Sequence, residues 1–171
     1  MMAPNVRRTW APLGETPLLV HRTRGLRKVS VIAALCLSPT FRSVRLFFQV
    51  RSKGNISSIV VLDFLKQLLR QVQGPVILIW DRLQAHRCKE VQKYIQGSRR
   101  LLMWYLPPYA PELNPVEYAW CYLKMNPLAN ATLPDVQAIG KLACRRGRSL
   151  SRRSRLLRSF VYHSPLFLGS R

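Results

Sequence analysis

The stretch Val76-Ile77-Leu78-Ile79-Trp80-Asp81 is five apolar residues ended by a carboxylate. Gly74-Pro75 stands before it and punctuates the chain. A run this short and this rich in β-branched residues predicts a strand, and its unbroken apolarity predicts one buried on both faces. Strands of that kind belong to α/β sheets, where functional groups gather just past the carboxyl ends. Asp81 stands at that position. A turn Asp capping the next helix would look the same, so the residue alone leaves both readings open. His86, five residues on, either orients a site group or is a polar residue near a helix start.

Upstream, Thr16–His21, Lys28–Leu37 and Val44–Val50 predict three strands in an antiparallel meander. Apolar residues at 59, 61, 62, 65, 68, 69 and 72 give the helical period over Ile56–Val72. Downstream of Asp81, Arg87–Gln96 predicts a helix and Leu101–Leu106 a strand. Pro107, Pro108 and Pro111 stiffen the loop after it. A helix runs from Asn114 to about Lys124, another comes after Pro134, and Leu150–Tyr162 predicts a last one with Leu156, Leu157, Phe160 and Val161 as its apolar stripe. The order is β-β-β-α-β-α-β-α-α, with no internal repeat. Trp80, Trp104 and Trp120 are expected in the core, and Trp10, in a basic loop, is the one set apart from it.

Glu117 closes the sequence Asn114-Pro115-Val116-Glu117. Asn at the N-cap, Pro at the first helical position and Glu at the third make a well-formed helix start. Glu117 either reaches back to cap its own helix or projects toward Asp81, 35 intervening residues away.

Composition bounds the function. The chain has 171 residues, enough for one domain with a real core, and is 48% apolar, which sets it apart from disordered chains. Its net charge of +21 points to a polyanion partner. The excess is uneven: +9 over residues 1–53, +3 over 54–138 and +9 over 139–171, with six of the seven carboxylates in the middle. Basic flanks around an acid-bearing centre suit a metal site with phosphate-binding walls. Arg145, Arg146, Arg148, Arg152, Arg153, Arg155 and Arg158 put seven charges within fourteen residues. A membrane-surface role for that last helix is the weaker reading. No apolar run approaches the roughly 20 residues of a spanning helix, and no signal-peptide pattern opens the chain. Cys36, Cys88, Cys121 and Cys144 are scattered without a CxxC pair, as expected of a reduced cytoplasmic protein rather than a zinc framework.

The stretch Tyr105-Leu106-Pro107-Pro108-Tyr109-Ala110-Pro111-Glu112-Leu113-Asn114-Pro115-Val116-Glu117-Tyr118-Ala119-Trp120 resembles the DDE transposases of the mariner-like superfamily, in particular their bacterial insertion-sequence branch. That family carries a strand-end Asp and, about 35 positions later, residues like these. Arg7-Arg8-Thr9-Trp10-Ala11-Pro12 resembles the loop after the family's first strand. Ile79-Trp80-Asp81-Arg82-Leu83-Gln84-Ala85-His86 resembles its second-Asp motif, with Arg82 where Asn is commoner. Asn130 and the residues after it resemble its C-terminal helices. Nearly the whole chain is covered.

The resemblance implies an α/β, ribonuclease-H-like mixed sheet flanked by helices, and metal-dependent cleavage and strand transfer on DNA in transposition. It makes Asp81 and Glu117 catalytic ligands of Mg²⁺ or Mn²⁺, with His86 and Asn114 in support. Arg7, Arg8, Trp10, Arg145, Arg146, Arg148, Arg152, Arg153 and Arg155 become DNA contacts. It implies transposon ends and target DNA as partners, with a second copy or an upstream fragment as further candidates, and no membrane. A DDE site takes three carboxylates, and the family's first Asp would fall a few positions before Met1. Glu15, in a turn, and Asp63, in the Ile56–Val72 helix, are poor substitutes. The expectation is therefore a catalytic domain lacking its first, central strand over residues 1–145, a basic C-terminal helix and tail over 146–171, and no cleavage by this chain alone. Whether it is itself an enzyme stays open. The alternative is a non-enzymatic basic DNA-binding remnant of an insertion element.

Overall fold

A computed structural model describes residues 12–14, 29–52, 54–125 and 135–167. The expected strand at Thr16–His21, Arg7, Arg8, Trp10, Glu15 and Asn130 lie outside the described residues.

Strands β1 (Ser30–Leu37) and β2 (Val44–Arg51) form an antiparallel pair, in register from Ser30 opposite Arg51 to Leu37 opposite Val44. The connecting turn closes through Ser38 and Ser43, with Phe41 in the left-handed region at φ 57°. Helix α1 (Ser58–Gln71) comes next, then β3 (Val76–Trp80), α2 (Lys89–Gln96) and β4 (Leu101–Tyr105). Strands β3 and β4 are parallel, with Trp80 opposite Tyr105, and α2 is the crossover between them. Among the described residues β1–β2 and β3–β4 are two separate two-stranded sheets. After a 3-10 turn at Pro111–Leu113 come α3 (Pro115–Met125), α4 (Val136–Ser151) and α5 (Ser154–His163). No helix among the described residues is long and apolar enough to cross a membrane.

Two apolar clusters hold these elements. Val61 and Leu65 of α1 and Val91 and Ile95 of α2 pack with Trp80 on one face of β3–β4. Val44 and Leu46 of β2 pack with Ala119 and Leu123 of α3, Leu150 of α4, and Leu157, Phe160 and Val161 of α5. Arg100 ties α1 to β3–β4. Its guanidinium donates to the carbonyls of Leu69, Val72 and Gly74, satisfying orphan acceptors at the helix end.

Three sequence expectations are corrected. Among the described residues the β3 strand is covered on one face only, because α1 and α2 both pack on the same side. Period-two alternation then turns Ile77 and Ile79 outward, 65% and 49% exposed. Trp104 obeys the same rule. It neighbours Ile79 across the parallel register and is 61% exposed rather than in the core. Trp80 is buried as expected, and Trp120 packs against the second cluster. Finally, the expected helix over Leu150–Tyr162 is broken. Leu150 belongs to α4, which runs unbroken across residues 145 and 146, and the chain turns at Arg152-Arg153 before α5. The turn lets Leu150 and Leu157 both point into one cluster, each essentially fully buried.

Candidate active site

Parallel pairing of β3 with β4 fixes the backbone up to Asp81, and the Leu106 amide donates to the Trp80 carbonyl to carry the pairing one step further. Asp81 therefore leaves the sheet at its carboxyl end, where open α/β folds place functional groups. Its side chain is half exposed. Oδ1 accepts from the Leu83 amide at 3.0 Å and from His86 Nδ1 at 2.8 Å. The Leu83 bond is the turn-capping contact the residue type predicts. The His86 bond is the contact that sequence left open. Both contacts fall on Oδ1, so that among the described residues Oδ2 has no hydrogen-bond partner. The His86 bond holds the carboxyl below its ordinary range. Partial burial opposes this, and the Leu83 amide adds to it.

His86 is itself held. Its ring stacks on the Trp80 indole, with centroids 4.3 Å apart and planes 6° from parallel. Gln92 Nε2 donates to the His86 carbonyl at 2.9 Å and to the Tyr105 hydroxyl at 2.6 Å. Trp80, Gln92 and Tyr105 are the residues that sequence reasoning missed. The spacing Trp80–His86 has no periodic signature, since the chain between them is a turn rather than a helix or strand.

Glu117 lies in the first turn of α3 and is exposed. The capping-box reading is not realised. Asn114 Oδ1 accepts from the Val116 amide at 3.2 Å, as an N-cap should, while the Asn114 amide donates to the Pro111 carbonyl instead of to Glu117. Among the described residues the Glu117 carboxylate takes no hydrogen bond or ion pair, which leaves its oxygens free. The start of α3 is anchored from a distance. Ser164, fully buried just after α5, donates its hydroxyl to the Leu113 carbonyl at 2.9 Å.

Asp63 is committed elsewhere. It accepts from Gln67 at 2.9 Å and lies 3.8 Å from the Arg51 guanidinium, tying α1 to β2. No group of three or more His, Cys, Asp or Glu side chains that could hold a metal ion occurs among the described residues. The donors that are available, Asp81 Oδ2 and the Glu117 carboxylate, are hard oxygens and suit Mg²⁺ or Mn²⁺ in kind. Arg145, Arg146, Arg148, Arg152, Arg153 and Arg155 lie on the last turns of α4, in the break after it and on the first turn of α5. All six are exposed.

A search of curated proteins finds no match. Among solved structures, the chain is similar to the Mos1 transposase in its paired-end complex with the left transposon end, at 12% identity and TM-score 0.53, over 95% of this chain and 52% of that one. The Mos1 strand transfer complex is also similar, at 16% identity and TM-score 0.49, over 96% of this chain and 52% of that one. The chain thus spans about half the length of those transposase chains. Its mixed α/β architecture is similar to the ribonuclease-H-like fold of the first. Residues 2–139, which include Asp81, His86, Asn114 and Glu117, match the family of DDE superfamily endonucleases, and the chain belongs to that family.

Proposed function

We propose that this chain carries part of a transposase catalytic centre, in which Asp81 and Glu117 hold a divalent cation, Mg²⁺ or Mn²⁺, for cleavage and strand transfer on DNA. The observation that carries the reading is the freedom of the two carboxylates. Asp81 spends one oxygen on His86 and Leu83 and keeps the other, and Glu117 stands clear of its own helix cap. When bound between such ligands, a divalent cation steadies the charge that develops on phosphodiester oxygens and activates an attacking hydroxyl. The protein's own part is positional. His86 Nδ1 donates to Oδ1 and holds the carboxylate in place, leaving Oδ2 for a ligand. The Asn114 cap fixes the first turn of α3, and with it the backbone of Glu117.

A DDE centre takes three carboxylates, and the described residues offer two. The chain by itself is therefore proposed to bind DNA and metal without cleaving. The test is Mg²⁺-dependent nicking of supercoiled plasmid by the purified chain. No nicking above a D81N control is expected. Robust nicking lost in D81N would overturn the incompleteness while supporting the centre, and nicking retained in D81N and E117Q would overturn the centre.

A further inference from the structure

A groove of about 1180 Å³ opens between the end of β2 and α4. Among the described residues six cationic side chains line it: Arg51 from β2, Lys141, Arg145 and Arg148 from α4, and Arg152 and Arg153 from the break before α5. Among the described residues, Asp81, His86 and Glu117 are not among those lining it, and neither is any other carboxylate.

The groove is built by close approach of helix to strand. Gly140 and Gly147 lie two turns apart and face β2. A Cβ on Gly147 would sit 2.6 Å from the Phe48 ring, and one on Gly140 would collide with the Ser52 hydroxyl. With those two positions pinned, residues 141, 145, 148 and 152 recur at spacings of four, three and four and form one stripe beside the contact. The stripe spans about 16 Å, the axial length of about five phosphates along one strand of a duplex. Among the described residues no hydrogen bond or ion pair engages the side chains of Lys141, Arg145, Arg148 or Arg152. Arg153 donates to the Tyr122 hydroxyl at 2.8 Å, which fixes one end of the row.

We infer that this groove binds the sugar-phosphate backbone of duplex DNA, by charge rather than by sequence, at a place separate from Asp81 and Glu117. The choice of DNA as the source of phosphate rests on the reading of the chain as a DNA-acting domain. An anionic membrane fits less well, because the apolar residues of α5 and of the end of α4, Leu150, Leu157, Phe160 and Val161, are buried in the core and have no face to offer lipid. The structure thereby divides the basic run. Arg145, Arg148, Arg152 and Arg153 are groove residues, whereas Arg146 and Arg155 carry equal charge outside it.

The test is fluorescence anisotropy with a labelled duplex of arbitrary sequence, in EDTA, so that metal at Asp81 and Glu117 plays no part. R145A/R148A should flatten the slope of log affinity against log salt by about 1.8, two phosphate contacts at about 0.9 each. R146A/R155A, which removes the same charge, should leave the slope within error of the parent. Equal effects of the two pairs would overturn the groove in favour of diffuse attraction. So would tighter binding to phosphatidylserine vesicles than to duplex, with the same dependence on Arg145 and Arg148. A second readout does not depend on substitution at the basic residues. Cys144 lines the groove and Cys121 is exposed outside it. Bound duplex should slow alkylation of Cys144 and spare that of Cys121, and unaltered Cys144 labelling would count against the proposal. D81N and E117Q should bind duplex in EDTA like the parent, so a failed catalytic reading and a failed groove give different results.

Discussion

The imidazole of His86 lies flat on the indole of Trp80, 4.3 Å between centroids, while its Nδ1 reaches Asp81 Oδ1 at 2.8 Å. One side chain thus joins the buried end of β3 to the carboxylate that leaves it. Because a carboxylate only accepts, Nδ1 carries the proton in this pair, and among the described residues Nε2 has no hydrogen-bond partner. Replacing Trp80 by Leu keeps an apolar residue in the cluster and removes the stacking surface. The His86 ring protons should then lose the upfield ring-current displacement that the indole imposes, as read by proton NMR. An unchanged displacement would contradict the stacked arrangement. The loss of stacking should cost about 0.5–1.5 kcal/mol beyond the change in buried area.

The same hydrogen bond sets a pH dependence. The folded Asp81 carboxyl sits below its ordinary value. Such a group adds stability that is present above the unfolded value and is lost as pH falls through the folded one. The acid limb of the urea-midpoint profile should therefore be steeper in the parent than in H86A, where the carboxyl returns toward the ordinary range. Coincident acid limbs would show that His86 does not hold the carboxylate.

Cys36 works in the opposite direction. Burial in β1 pushes its thiol up to about 11, against the pull of Arg45 across the strand pair. A raised value adds stability that is complete below the unfolded thiol's, about 8.5, and is lost as pH rises through the folded one. C36S should remove that alkaline decline. In the parent, Cys36 should alkylate more slowly than the exposed Cys121 at mildly alkaline pH, as read by mass spectrometry of labelled peptides. Faster labelling of Cys36 would contradict its burial.

Ser164 and Leu113 make a second long-range tie. The hydroxyl donates to the carbonyl at 2.9 Å from a fully buried position, just past α5. S164A leaves that acceptor unpaired and should cost about 1–3 kcal/mol in urea denaturation. It should also raise hydrogen exchange at the start of α3, around Val116 and Glu117, more than in β1. Uniform acceleration across the chain would mean that Ser164 supports global stability alone and does not position Glu117.

Much of this arrangement is legible in the residues. The Val76–Trp80 run and the Asn114-Pro115 start place Asp81 at a strand end and Glu117 in a first helical turn, and both hold. Local chemistry suffices there, because strand runs and N-caps are encoded within a few residues. The open face of β3–β4 is not legible. Whether a strand is covered once or twice depends on which side its helices take, which no single strand records, so Trp104 reads as core and lies exposed. The helix break at Arg152-Arg153 escapes for a similar reason. Both residues are good helix formers, and the turn is imposed by Leu150 and Leu157 seeking one cluster. The capping motif at Glu117 shows the converse. Its local pattern is complete, yet the Asn114 amide finds Pro111 in the preceding 3-10 turn and the glutamate is released.

Whether Asp81 and Glu117 hold one divalent cation between them is read most directly from Mn²⁺ binding observed by electron paramagnetic resonance. The parent chain should bind Mn²⁺ at one site. D81N and E117Q should each lose that binding, and H86A should weaken it while leaving the fold intact by circular dichroism. Binding that survives both D81N and E117Q would place the metal elsewhere.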